Sequence, residues 1–143
     1  MKDKALNYLG LMRKANAVQI GETDTGAAAR AMTAKLIILA GDASDNARSR
    51  ARGFVYGRNI PMIISPFTKE EISAHVGKPG CSMLAITDIG FADAFMKTLV
   101  QISEDYAPEA EAISLALAKS KQRKKEKSAH DRNKKSGKRR NHA

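Results

Sequence analysis

The chain has 143 residues, a single cysteine and no tryptophan, and carries 25 Lys and Arg against 15 Asp and Glu, a formal net charge of +10. That length suits one domain of ordinary size. A lone Cys81 excludes an intramolecular disulfide and fits a reducing cytoplasm, and no stretch approaches the ~20 apolar residues of a membrane span or the apolar core of a secretory signal.

Along the chain, Ala5, Leu6, Leu9 and Met12 recur at helical spacing with Asp3 as a candidate cap. "AVQI" (17–20) reads as a short strand, and "TDTGAAARAM" as a helix that Thr23 or Asp24 can cap. The continuous apolar run "KLIILAG" (35–41) has the character of a strand buried on both faces. A helix follows with Ser44 as cap, an inner stripe of Ala47, Ala51, Phe54 and Val55, and a stop at Gly57 and Asn59. "IPMIIS" (60–65) is the third strand, with Pro61 at its start. Thr68 and Glu71 then form a capping box for a helix that Gly77 ends. "CSMLAITD" is the fourth strand. "DIGFADAFMKTLVQI" is a helix with Phe91, Phe95, Leu99 and Ile102 on one side. Alternating strands and helices with short connections predict a three-layer α/β/α sandwich on a small mixed four-stranded sheet.

The charge is segregated. Twelve of the bases and two of the acids lie from Lys119 to Ala143, so that stretch alone carries +10 and residues 1–118 balance to zero. It holds Lys119, Lys121, Arg123, Lys124, Lys125, Lys127, Arg139 and Arg140, and no apolar side chain larger than alanine. It cannot bury enough surface to offset the entropy of ordering and is expected to be a disordered polybasic tail. A run of cations this dense seeks polyanions, nucleic acid before anionic lipid, because no apolar face accompanies the charge. Between body and tail, residues 103–118 can form a further helix with Pro108 in its first turn and a thin apolar edge of Ile113 and Leu117.

No phosphate-binding loop, nucleophile elbow or zinc-binding helix motif occurs. His75, His130 and His142 show no ligand spacing, so no metal or other cofactor is expected. Asp42 and Asp88 each follow a strand, where ligands of open sheets bind, but a helix cap explains them as well. Arg48, Arg50 and Arg52 alternate along one helix and so fan over different sides into solvent. Trp is absent, and Tyr8, Tyr56 and Tyr106 form no strand-borne pair, which argues against an aromatic platform for single strands and for structured RNA.

"GETDTGAAARAM", "AKLIILAGDASDN", "NIPMII", "TKEEISAHVGK" and "MLAITDIGFA", in that order over about Ala5 to Leu99, resemble the kink-turn-binding ribosomal protein family of the large subunit (7Ae/30e type), nearest its small bacterial YlxQ-like branch. The resemblance implies a non-catalytic RNA-binding sandwich. It implies that the turn after the first strand and the following helix start present Gly-x-Asn-Glu-x-x-Lys to tandem sheared G·A pairs. On this chain Gly21 matches the glycine, with Glu22 next to it, while Thr23, Asp24 and Ala27 stand at the Asn, Glu and Lys positions. Thr offers one hydroxyl for an amide, Asp24 keeps a shorter carboxylate, and Ala27 loses the cation. The resemblance also brings in the loop before the last strand, Gly77, Lys78, Pro79 and Gly80, and Lys69 near an extruded base.

The expected organisation is an RNA-binding domain over 1–102, a helix or linker over 103–118 and the tail over 119–143. The expected partner is structured RNA, ribosomal RNA in particular, on or near the ribosome, in the cytoplasm and away from membranes. Two other readings use the same features: a protein-interaction module anchored by its tail, and the accessory RNA-binding subunit of an RNA-modifying enzyme.

Overall fold

A computed structural model describes the backbone of residues 2–142 and the side chains of residues 2–127. Its elements in chain order are α1 (Lys2–Lys14), β1 (Val18–Ile20), α2 (Glu22–Arg30), β2 (Leu36–Leu39), α3 (Asp45–Val55), β3 (Met62–Ile64), α4 (Lys69–Val76), β4 (Met83–Ile86), α5 (Ile89–Ile102), a 3-10 turn (Glu104–Tyr106) and α6 (Ala107–His142). The alternation anticipated from the sequence is the one observed.

The four strands form one open mixed sheet in the order β1-β4-β2-β3. β4 is antiparallel to both β1 and β2, and β3 is parallel to β2. The apolar runs "LIIL" and "MLAI" take the two central places and are buried throughout, as a strand covered on both faces must be. The outer strands are only three residues long and partly exposed, a usual way to blunt a sheet edge. On the β3 side the Tyr106 hydroxyl also donates to the Ile64 carbonyl at 2.8 Å.

One helical layer joins α1, α4 and α5, with α6 packed on α5; the other joins α2 and α3. In α1 the buried residues are Ala5, Leu6, Leu9 and Met12, the set its spacing predicted. The expected inner stripe of α3 is buried at Ala47 and Ala51 and half-buried at Phe54 and Val55. In α5, Phe95 and Leu99 are fully buried, and Phe95 meets Phe67 edge-on with ring centroids 6.5 Å apart. Ile113 of α6 is buried, so the thin apolar edge does dock on the body.

Local signals set most helix starts. Ser44 accepts from the Ala47 N–H, Thr68 and Glu71 form a reciprocal capping box, and Asp88 accepts from the Phe91 N–H. Asp42 caps across the fold: its carboxylate accepts from the Lys69 N–H at 2.8 Å, at the first residue of α4. Helix α2 differs from expectation. Its N-cap is Gly21, without a side-chain bond, so neither Thr23 nor Asp24 caps it. The helix begins two residues earlier than a cap at Thr23 would allow, which puts both side chains inside its first turn.

The basic stretch runs on from the body as the outer part of α6. Its described side chains, Lys119 to Lys127, are exposed save a half-buried Ser120 and bury no core, the absence of packing on which the expectation of disorder rested. Arg139 and Arg140 lie outside the residues whose side chains are described.

Two helical glycines should respond oppositely to alanine. A Cβ on Gly26 would sit 2.8 Å from the Phe54 ring, where α2 and α3 approach closely, whereas one on Gly53 of α3 would meet nothing within 4 Å. Gly26→Ala is expected to destabilise by about 1–3 kcal/mol through overpacking, and Gly53→Ala to stabilise by about 0.5–1 kcal/mol through helix propensity. Urea unfolding of the two variants checks both signs.

Candidate nucleic-acid interface

Because β1, β2 and β3 are mutually parallel and β4 runs against them, the ends of β1 (Ile20), β2 (Leu39) and β3 (Ile64) and the start of β4 (Met83) share one edge of the sheet. The starts of α2, α3 and α4 and the loop 77–82 therefore gather at that edge. Helix N-termini bring outward N–H groups and a positive dipole end.

At the β1 corner the turn is held by three contacts. The Gly21 N–H donates to the Met83 carbonyl at 3.0 Å, the Thr25 N–H donates to the Gly21 carbonyl at 2.9 Å, and Lys78 Nζ donates to the Ile20 carbonyl at 3.0 Å. The last of these lays the loop Gly77–Gly80 onto the Gly21 turn, 58 residues away in sequence. Gly21 has φ +95° and ψ 167°, a region that side chains essentially bar, and a Cβ there would lie 3.0 Å from Lys78 Nζ.

On α2 the exposed side chains at its start are Thr23, Asp24 and Ala27, while Thr25, Gly26, Ala28 and Ala29 face inward. Neither the Thr23 hydroxyl nor the Asp24 carboxylate has a hydrogen-bond or ionic partner among the described residues. Asp24 and Lys78 line one open depression together with Arg13, Asn16 and Gln19. Glu22 points the other way and pairs with Arg50 of α3 at 2.5 Å, an exposed pair of small energetic consequence.

The sequence-predicted set thus divides. Gly21, Asp24, Gly77 and Lys78 come together, with Thr23 beside them and Pro79 and Gly80 exposed in the same loop. Lys69 opens α4, eight helical residues or about 12 Å from Gly77, and its side chain makes no hydrogen bond or ion pair among the described residues. Of the basic stretch, Lys119 and Arg123 lie elsewhere: they share a cleft with Lys35, which precedes β2, and Ile89, which opens α5. That is the opposite edge of the sheet.

Two residues take unexpected roles. Arg48 is not a solvated cation. It donates to the Ala43 carbonyl at 3.2 Å and the Gly41 carbonyl at 2.9 Å, tying down the loop between β2 and α3. Arg13 reaches over Gly77, whose left-handed backbone (φ +70°) would put a Cβ 2.7 Å from the guanidinium. The available signal for Arg13 was a base in the last turn of α1, which serves a helix end equally well.

Among the described residues no three His, Cys, Asp or Glu side chains could hold a metal ion together, and no helix is long and apolar enough to cross a membrane. Cys81 is buried behind the turn, its thiol pointing to the Met83 carbonyl at 3.2 Å. Burial pushes that thiol up from its ordinary value, against smaller opposing effects of the Met83 and Gly21 backbones and Lys78.

Residues 3–96 match the model of the ribosomal protein L7Ae/L30e/S12e/Gadd45 family. The chain belongs to that family. A protein of Enterococcus faecium named "RNA-binding protein YlxQ" is 33% identical over 91 residues, 64% of this chain and 86% of that protein. Among solved structures, a protein of unknown function from Bacillus halodurans aligns with a TM-score of 0.62 at 22% identity, covering 67% of this chain and 96% of its own. The Giardia lamblia 15.5kD RNA binding protein aligns at 0.51 and 15% identity over 76% of this chain and 85% of its own. At these identities the structures speak for the shared fold.

Two outcomes are expected at this corner. Gly21→Ala should cost about 1–3 kcal/mol of stability because its backbone conformation is closed to side chains, measured by urea unfolding. The folded Cys81 thiol should react with iodoacetamide far more slowly than in urea, since burial keeps it protonated as pH rises past the ordinary thiol value.

Proposed function

We propose that this member of the family is a non-catalytic RNA-binding protein that grips structured RNA at the Gly21 corner. The observation that carries the reading is the Lys78–Ile20 contact, which unites the loop 77–80 with a helix start whose Thr23 and Asp24 side chains have no partner among the described residues. Gly21 lets backbone approach backbone, and the free N–H groups at the start of α2 suit phosphate. Asp24 accepts from the amino group of a base, and Lys78 and Arg13 supply cations on either side of it. The name of the Enterococcus relative supports RNA as the ligand.

Ribosomal RNA, met on the ribosome, is the ligand this reading favours. Thr23, Asp24 and Ala27 in place of Asn, Glu and Lys call for an altered version of the tandem sheared G·A site, with fewer donors and one cation less. The basic stretch from Lys119 adds affinity without selectivity, since phosphate contacts carry no sequence information.

Selectivity and bulk attraction are separable by experiment. For Asp24→Lys, affinity for a hairpin RNA with tandem sheared G·A pairs, relative to a plain duplex at about 150 mM salt, should fall by about 1–3 kcal/mol, while duplex binding persists or grows. Removing residues 119–143 should do the reverse: binding weakens for both RNAs and its salt dependence flattens. An unchanged hairpin-to-duplex ratio in a folded Asp24→Lys protein would reduce the corner to a helix start.

A further inference from the structure

Diagonally across the sheet from the Gly21 corner, α6 closes a cleft against the beginnings of β2 and β3. Lys35 and Arg58, from the turns before those strands, line it together with Lys119 and Arg123, which lie one helical turn apart on α6. Lys35, Lys119 and Arg123 are exposed; Arg58 is half-buried and spends one donor on the Phe54 carbonyl at 3.1 Å. The ion pairs among the described residues, Arg50–Glu22 and Lys97–Asp93, involve none of the four. Glu109 is the one acid on the lining. Four cations from three separate segments repel one another there, and against them the single carboxylate of Glu109 leaves the lining strongly positive.

We infer that this cleft is a second RNA-contacting surface, specific for phosphate backbone, and that the protein bridges two RNA segments. The bridging rests on the RNA reading of the Gly21 corner; the second surface does not. Three strand spacings separate β1 from β3, about 14 Å, and strands of three to four residues add up to about 13 Å along the other axis. The two corners are thus about 20 Å apart through the body, on edges that face away from each other. A straight duplex resting on one corner leaves the other free.

The cleft also has apolar lining, with Leu115 exposed at its side, as an acidic protein segment would need. Charge continuity favours RNA. The next turns of α6 offer Lys124, Lys125 and Lys127, all exposed, against the one acid Glu126 and with no apolar residue beside them, so the surface continues predominantly cationic.

The full-length protein is loaded on an immobilised hairpin RNA with tandem sheared G·A pairs and then given a fluorescent 20-base-pair RNA duplex of arbitrary sequence. Wild type should capture the duplex without releasing the hairpin. The double variant Lys35→Glu, Arg58→Glu should keep the hairpin but bind the duplex about tenfold more weakly or worse, with a log–log salt slope shallower by about 2. Lys119→Glu with Arg123→Glu, both on exposed helix, should repeat that loss with an unchanged melting temperature, which guards against a folding defect. Displacement of the hairpin by the duplex would overturn bridging, and unchanged duplex affinity in both double variants would overturn the second surface. If those variants instead lose poly-L-glutamate while duplex binding stands, the cleft belongs to an acidic protein segment and the proposal fails. A wild-type protein that ignores the hairpin sinks the Gly21 reading and bridging with it, while duplex binding alone, compared between Lys35→Glu/Arg58→Glu and wild type, still decides the second surface.

Discussion

The antiparallel ladder of β4 with both β1 and β2 is the constraint on which the Gly21 corner depends. β4 is the last strand in sequence and the second in the sheet, buried on both faces. Its first residue, Met83, accepts the Gly21 N–H, and the loop that feeds it carries Lys78 back to the Ile20 carbonyl. Turn and loop meet only because β4 sits between two strands that run against it. A slip of one residue would expose its buried faces in alternation and carry the loop away from the turn. The geometry of the corner is therefore fixed by core packing, which is a more durable support than the surface contacts themselves.

Acids gather at this edge as well as helix starts, and most are committed. Glu22 pairs with Arg50, and Asp42 caps α4. Asp24, the one acid lining the depression, has no partner among the described residues and shares that lining with Arg13 and Lys78. A uniform polyanion would meet cations and a carboxylate together, so attraction at the phosphates would be offset by repulsion at Asp24. A ligand that presents phosphates to the cations and a donor to the carboxylate satisfies all three. Under the proposed RNA reading, such a mixed surface would favour a folded RNA with an accessible base edge over a plain duplex, and the neutral charge of residues 1–118 would keep that preference from being swamped.

The elements were legible because each carries its own local signal: two unbroken apolar runs for the central strands, a period of 3.6 in α1, and caps at Ser44, Thr68 and Asp88. Gly21 could be singled out as a site, but its role as the N-cap could not, since Thr23 and Asp24 are better caps by preference. The tertiary bond to Met83 and a backbone conformation reserved for glycine decided that position instead. Arg48 departs from the expected solvated cation for a related reason. Its acceptors, Gly41 and Ala43, are carbonyls left unpaired by the way one loop leaves β2, and no side-chain pattern announces them. Arg13 was overlooked because its neighbour Gly77 comes from the far end of α4, and helical spacing within α1 says nothing of that.

The direction of α6 has the largest functional consequence that the sequence withheld. The 3-10 turn at Glu104–Tyr106, fastened by Tyr106 to the edge strand, reverses the chain after α5, and Ile113 then seats α6 alongside it. The pairing of α5 with α6 is the most extensive between any two elements, and Ile102, Tyr106 and Ala110 pack on the core beside Ile113. They aim the basic stretch at the edge where β2 begins, away from the Gly21 turn. Charge composition shows a neutral body and a basic stretch but not where on the body the stretch is directed. The topology separates corner and cleft by the width of the sheet, so under the proposed reading selectivity and electrostatic attraction would engage different parts of a folded RNA at once. A helix–helix contact of a few apolar side chains thereby sets how the protein's charge is delivered.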